Sequence, residues 1–226
     1  MGLEYDKIDV GNSASSLYKN REGNYSTLSS FYTVYSDKRN SSFMPTDGYR
    51  ISFGQKLGIP GSDIPFIEND VTGNYYQTLS KEYVLSLKSG LSSINGISNG
   101  KDVKLSDRKF LNTKKLRGFE NYGIGPKDGN DHIGGNYSAY ASISSTFPNP
   151  LPDKWNAKSI IFLDTGNVWG VDFDESLDSN KIRSSVGISL NWISPLGPIN
   201  FTLAETLSKS NGDLEEKFNF EIGTAF

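Results

Sequence analysis

Apolar and polar residues alternate along much of this chain, most regularly toward its C-terminal end. Val186, Ile188, Leu190 and Trp192 fall on one side of the alternation, and Ser185, Gly187, Ser189 and Asn191 on the other. Ile199, Phe201 and Leu203 oppose Asn200, Thr202 and Ala204 in the same way. Phe218, Phe220, Ile222, Thr224 and Phe226 oppose Asn219, Glu221, Gly223 and Ala225. A period of two is the signature of strands, whose successive side chains point to opposite faces. The same pattern predicts strands over residues 3–10, 25–36, 49–57, 66–76, 81–92, 137–147 and 158–169, ten with these three. Residues 3–10 alternate weakly, and Glu68, Asn69 and Asp70 interrupt the fourth strand. Turn residues separate the runs, as at Pro45-Thr46-Asp47-Gly48, Ile59-Pro60-Gly61-Ser62 and Ser194-Pro195-Leu196-Gly197-Pro198. No stretch of useful length carries a helical period, and neither an internal repeat nor a domain boundary is visible.

Alternation alone fits a soluble sandwich or a membrane barrel. The second face favours the barrel. It is built of Ser, Gly, Asn and Thr, which suits a wet or plugged interior surrounded by an apolar band and cannot make the dry core of a sandwich. Aromatics also stand near strand ends, at Tyr137, Phe147, Trp169, Trp192 and Phe226, as interfacial girdles do. The expected fold is therefore an all-β, antiparallel transmembrane β-barrel wall. If the chain ends at the periplasmic side, residues 11–24, 58–65, 95–134, 170–181 and 209–216 are the outer connections. The inner ones, 37–47, 77–81, 148–156 and 194–198, are mostly shorter, as barrel topology requires.

Composition narrows the chemistry. The 226 residues are 35% hydrophobic, and no apolar run approaches the roughly 20 residues of a membrane-spanning helix. A net charge of −3 gives no support for nucleic-acid binding. The absence of cysteine excludes disulfides, thiol catalysis and thiolate metal sites. The single histidine, His132, lies in a long polar connection and reads as a solvated loop residue. Asp63, Glu68 and Asp70 do not have the spacing of a calcium loop. The glycines of residues 123–129 lack the Gly-Lys-Ser/Thr ending and the following helix of a phosphate loop. No enzyme, metal site or cofactor is expected. The N-terminus has no basic region or apolar core of a signal peptide, so a secreted barrel would be represented here by a fragment or by a mis-set start.

Two short stretches remain to be explained. Leu116-Arg117-Gly118-Phe119 sits in the longest connection, a charged tip beside a flexible glycine and an aromatic. On the strand over 158–169, Phe162, Asp164 and Gly166 share a face and offer a carboxylate, an aromatic surface and bare backbone. Arg117 could reach Asp164 as a charge-assisted pair. In isolation, a solvated loop charge is the simpler reading of Arg117.

The tetrapeptide precedes Gly134-Gly135-Asn136 and continues through Asn121-Tyr122-Gly123-Ile124-Gly125-Pro126. Together with Asp164-Thr165-Gly166 and the Ser194–Pro198 turn, it resembles the BamA family of outer-membrane-protein assembly factors, in the bacterial surface antigen superfamily. That family usually places Val first in the tetrapeptide, so Leu116 departs from it. The resemblance implies the last ten strands of a sixteen-strand barrel. Residues 1–226 would form one partial barrel domain, without the early strands and POTRA domains. It implies that Leu116, Arg117, Gly118 and Phe119 latch onto Phe162, Asp164 and Gly166 in the lumen. Phe218, Phe220, Ile222 and Phe226 would form the C-terminal insertion signal and the seam strand. The implied function is folding and insertion of other β-barrels through a lateral seam in the outer membrane of a Gram-negative bacterium. The implied partners are outer-membrane lipid, nascent β-barrel proteins and accessory lipoproteins. A polypeptide-exporting pore of the same superfamily and a soluble β-sandwich binding module are the alternatives.

Overall fold

Runs rich in Tyr, Phe, Ile, Leu, Thr and Ser, cut by Gly, Pro and Asp, fold into hairpins that follow one another along the chain. The computed structural model describes residues 2–9, 24–58, 65–97, 103–148, 151–152, 155–178, 180–194 and 197–223. Its strands are β1 (Gly2–Asp9), β2 (Asn24–Asp37), β3 (Gly48–Gly58), β4 (Phe66–Thr78) and β5 (Val84–Gly96). A two-stranded ribbon, β6 (Lys127–Asp128) and β7 (Asp131–His132), lies within the long connection. Then come β8 (Tyr137–Phe147), β9 (Ala157–Trp169), β10 (Arg183–Ser194), β11 (Gly197–Ser208) and β12 (Phe218–Ile222).

All strands except β6 and β7 form a single ten-stranded sheet in the order β1-β2-β3-β4-β5-β8-β9-β10-β11-β12, every pair antiparallel. The fold is thus the all-β antiparallel meander that the alternation predicts. Both ends of β5 differ from the sequence reading, which placed that strand over residues 81–92. Tyr83 belongs to the turn before β5, where its carbonyl accepts from the amides of Leu79 and Ser80. Strand β5 runs on to Gly96 because Ile94 packs with Phe66 and Val103 in a small buried cluster. The β6–β7 ribbon and the single 3-10 turns at Leu105–Asp107 and Glu175–Leu177 had no sequence signal. The sequence-predicted signal residue Phe226 and the central Pro195-Leu196 of the last tight turn lie outside the described residues.

The two faces separate as the alternation predicts. Ile143, Ile161, Leu163, Ile188 and Leu203 are exposed, Ile188 by 49%, and within the described residues no second sheet covers them. The opposite face pairs small polar groups. Ser52 and Thr72 are joined by a 2.6 Å hydrogen bond across β3 and β4, and Ser189 and Thr202 by one of 2.9 Å across β10 and β11.

The sheet also curls. Lys109 reaches Glu68 on β4, and Thr113 reaches Glu221 on β12. In a flat sheet β4 and β12 would stand six strand spacings apart, about 29 Å. Residues 109 and 113 are at most about 14 Å apart along the chain, yet side chains from both strands converge on them. The polar face therefore wraps around the long loop, and the apolar face is the convex outside.

This sorting predicts an asymmetric response to charge. Ile188→Lys puts an ammonium on the lipid-facing side, where a cation near the bilayer midplane costs about 2–4 kcal/mol. Ser144→Lys, at a half-buried position on the polar face of β8, should cost much less. Urea unfolding of the two variants in lipid vesicles measures the difference, and equal losses would contradict the assignment of faces.

Candidate functional site: a loop docked on the polar face of the sheet

The connection between β5 and β8 does not project away from the sheet but fills its curl. Its apolar side chains carry it there. Leu111, Leu116, Phe119 and Ile124 form one buried cluster with Val168 of β9, with Tyr140 of β8 against it. Each of these loop residues buries a side chain worth about 1.5–3 kcal/mol when removed from water. Leu116 and Phe119, the outer members of the tetrapeptide, are thus hydrophobic anchors that hold Arg117 and Gly118 between them.

Arg117 is delivered side-on to Asp164. Its Nε donates to Asp164 Oδ2 at 2.7 Å, and its Nη2 to Asp164 Oδ1 at 2.7 Å. The backbone N–H of Arg117 adds a third bond to Oδ2 at 3.1 Å. This is the two-pronged geometry in which guanidinium and carboxylate match, and both groups being charged makes each bond stronger than a neutral one. Asp164 has no exposed surface. The guanidinium carbon lies 3.5 Å from the centre of the Phe162 ring, so the cation is also stacked on an aromatic face. Nη2 donates to Ser142 Oγ on β8 at 3.1 Å, and Ser185 Oγ on β10 donates to the Arg117 carbonyl. One residue is therefore bonded to three successive strands.

Two glycines make the approach possible. Gly118 has φ +88°, and a Cβ there would stand 3.1 Å from Ser185 Cβ and 3.2 Å from Ala204 Cβ. A side chain would meet both a strained backbone and the sheet itself. A Cβ on Gly166 would lie 2.8 Å from a methyl carbon of Leu111, so the bare backbone of β9 is the floor on which that anchor rests. The structure thus brings Leu116, Arg117, Gly118 and Phe119 together with Phe162, Asp164 and Gly166. Phe218, Phe220 and Ile222 stand apart from them, exposed on the outer face of β12.

Sequence reasoning missed the other fastenings. Arg183, at the start of β10, is almost completely buried and pairs with Asp213: Nε donates to Oδ2 and Nη2 to Oδ1, each at 2.9 Å. Its Nη1 bonds Asn167 at 2.6 Å and the Lys181 carbonyl at 2.8 Å. Arg108 pairs with Asp172 and stands over the ring of Phe173. Glu68 and Asp70, weighed in the sequence as metal ligands and set aside, both face Lys109. Nothing in the spacing of these residues announces their pairing, because each joins connections far apart in the chain. His132 departs from its sequence reading. Its ring nitrogens are buried rather than solvated, and burial, then the charge of Lys127, holds it below the usual imidazole range.

Comparison with known proteins matches this geometry to a family. The model of the Omp85 superfamily domain matches residues 1–226. The outer membrane protein assembly factor BamA of Neorickettsia risticii is 34% identical over 230 residues, covering 99% of this chain and 31% of that protein. BamA of Neisseria meningitidis is 27% identical, over 84% of this chain and 28% of its own length. A sorting and assembly machinery component 50 homolog of Xenopus tropicalis is 27% identical, over 74% of this chain and 37% of its length. In three dimensions the chain superposes on the crystal structure of Haemophilus ducreyi BamA lacking POTRA domains 1–3. The TM-score is 0.80 at 27% identity, over 87% of this chain and 42% of that one. The chain thus spans about a third of the length of the curated relatives it matches.

Two outcomes follow from the docked geometry. Arg117→Ala or Asp164→Ala should each destabilise the docked loop by about 3 kcal/mol, the scale for breaking a buried pair, reduced somewhat by the partial exposure of Arg117. The double variant should cost less than the sum, since neither charge is then left alone. Stability measured by denaturant titration checks this, and strict additivity would contradict it. The second concerns Asp172. Burial opposes its ionisation, but the Val103 N–H and Arg108 outweigh burial and hold the carboxyl below its usual value of 3.8. A depressed folded pKa stabilises fully above the unfolded value, and the contribution is lost as pH falls through the folded one. Exchange protection of the Val103 amide, bonded to Asp172 at 2.8 Å, should therefore be steady at neutral pH. Corrected for intrinsic rates, it should drop once pH falls below about 4, through the depressed folded pKa of Asp172.

Proposed function

The chain belongs to the Omp85 superfamily, and from that premise we propose that it is the C-terminal part of a barrel that folds and inserts other β-barrels. It is an outer-membrane protein of a Gram-negative bacterium. Likeness over nearly the whole chain to proteins named as assembly factors carries the reading. Those relatives are assembly factors rather than enzymes, and the geometry suits such a task. The polar, curled face with a plug of loop gives a lumen, and the apolar face gives a surface for lipid. In this reading residues 1–226 are one partial barrel domain, the last ten strands of sixteen.

Strand β12 is one edge of the ten-stranded sheet and, among the described residues, pairs with β11 over five residues, from Leu203↔Phe218 to Ile199↔Ile222. A sheet edge offers unpaired N–H and C=O groups, which in lipid must find partners within the protein or in another strand. Pairing with an incoming strand satisfies them, and that is strand addition carried out inside a membrane. Nascent β-barrel proteins are the clients in this reading, outer-membrane lipid is the solvent, and accessory lipoproteins are the remaining partners. Phe218, Phe220 and Ile222 line the lipid side of the seam. Leu116, Arg117, Gly118 and Phe119, docked on Phe162, Asp164 and Gly166, act as the latch that keeps the lumen plugged and the wall in shape. The exporter alternative is less well supported, because the relatives reported above are named for assembly, in bacteria and in the sorting and assembly machinery alike.

The test is reconstitution of the protein at its full natural length in liposomes, with an unfolded client barrel added. Acquisition of heat-resistant, protease-protected client should be catalysed, and Arg117→Ala should slow it severalfold at unchanged amounts of inserted protein. Client folding no faster than in empty liposomes would defeat the proposal.

A further inference from the structure

The segment that leads into β12 does not stand free above the sheet. Residues 214–216, one residue short of it, pair with the docked loop through backbone bonds. The Glu120 N–H donates to the Leu214 carbonyl at 2.9 Å, and the Leu214 N–H to the Gly123 carbonyl at 2.9 Å. The Glu216 N–H donates to the Gly118 carbonyl at 3.1 Å, and Phe119 and Glu215 form an antiparallel bridge. A second grip lies further along the strand. Glu221, on the polar face of β12, accepts from Thr113 Oγ1 at 3.3 Å and lies 4.0 Å from Lys114 Nζ. Asp213, one residue before the paired segment, is the carboxylate that Arg183 holds in its buried pair.

These contacts flank Arg117 closely in sequence. Gly118, whose carbonyl holds Glu216, is the next residue; Thr113 and Lys114, which hold Glu221, are four and three residues earlier. The loop between them is rigidly seated. Leu116 and Phe119 are buried, and Gly118 lies flush against Ser185 and Ala204. A segment this short and this packed moves as one piece. It cannot leave Asp164 and still hold both Glu216 and Glu221 in place. On its sheet side β12 has, among the described residues, a ladder with β11 from Leu203↔Phe218 to Ile199↔Ile222, extended by the Ala204 N–H to the Lys217 carbonyl and the Gly223 N–H to the Pro198 carbonyl. As the edge strand it has no second strand beside it there, so the luminal contacts are its other support.

We propose that the docked loop positions the last strand, with Thr113, Lys114 and Glu221 as positioning residues, so that loop docking at Asp164 and ordering of β12 are one coupled equilibrium. The inference rests on the reading of β12 as a seam strand. Undocking Arg117 frees β12 from its luminal side, and displacing β12 loosens the loop. Such coupling is reciprocal by thermodynamic necessity, which gives the proposal two independent arms.

The experiment is amide hydrogen exchange on the full-length protein in lipid nanodiscs. It follows peptides covering residues 111–124 and 218–222 in four forms: wild type, Arg117→Ala, Glu221→Gln and Asp172→Asn. Arg117→Ala should raise exchange at 218–222 by about tenfold, the change expected from losing one or two net hydrogen bonds. Glu221→Gln, which keeps an acceptor for Thr113 but removes the attraction to Lys114, should raise exchange at 111–124 by a smaller factor. Asp172→Asn, which loosens a neighbouring connection, should leave 218–222 unchanged. The proposal is overturned if Arg117→Ala frees 111–124 while 218–222 exchanges as in wild type, or if Asp172→Asn frees β12 equally. Should Arg117→Ala fail to insert, the Glu221→Gln arm decides alone, an unchanged loop counting against the coupling. Because exchange is read without a client, coupling that persists where client folding is not catalysed would sink the assembly reading and leave this one standing.

Discussion

A carboxylate withdrawn from water must be compensated close at hand, and Asp164, with no exposed surface, is compensated by a group more than forty residues away in the chain. Desolvation of an isolated charge costs several kcal/mol even after relaxation, so the loop cannot be absent while Asp164 stays ionised and dry. The pair is held in geometry rather than by charge alone. Two parallel bonds, a backbone amide and the face of Phe162 together fix the guanidinium in one position. From that position the rest of the loop is placed: Leu116 and Phe119 fall into the cluster with Val168, and Gly118 meets β10 and β11.

Around this contact the other connections are fastened by the same means. Arg183 with Asp213, Arg108 with Asp172 and Lys109 with Glu68 each tie one connection or strand end to another. Pairs of this kind contribute modestly to net stability when compared with apolar packing of the same volume. Their consequence is specificity: each guanidinium accepts one arrangement of carboxylate, and connections that would otherwise be loose polar chain acquire a fixed seat. The 40 residues between β5 and β8, which carry little regular structure, are ordered over their described part by such contacts and by two small apolar clusters.

The sheet makes this possible by its two-sidedness. An interior of Ser, Thr, Asn and Gly can receive polar loop backbone, whose N–H and C=O groups find partners there. The exterior of Ile, Leu, Val and Phe sends the same groups nowhere, because within each spanning strand the ladder already satisfies them. Among the described residues, strand β12 is where this arrangement is least complete, with a short ladder on its sheet side and loop contacts on its luminal side.

Much of this was legible in the sequence. Period-two alternation with a small polar second face is a local property of strands, and it marked the ten strands to within a few residues, as at β8 and β9. The tetrapeptide and the shared face of Phe162, Asp164 and Gly166 were visible because strand geometry alone sets which residues are neighbours on a face. What only the tertiary structure decided depends on distance through space. The extension of β5 to Gly96 follows from Ile94 meeting Phe66 and Val103. The partnership of Arg183 with Asp213 follows from β10 and the β11–β12 connection meeting at one end of the sheet, and the grip of Thr113 on Glu221, 108 residues away, from the curl that carries β12 back toward the loop. No local pattern encodes that curl, since the twist accumulates over ten strands and the loop that fills it is aperiodic.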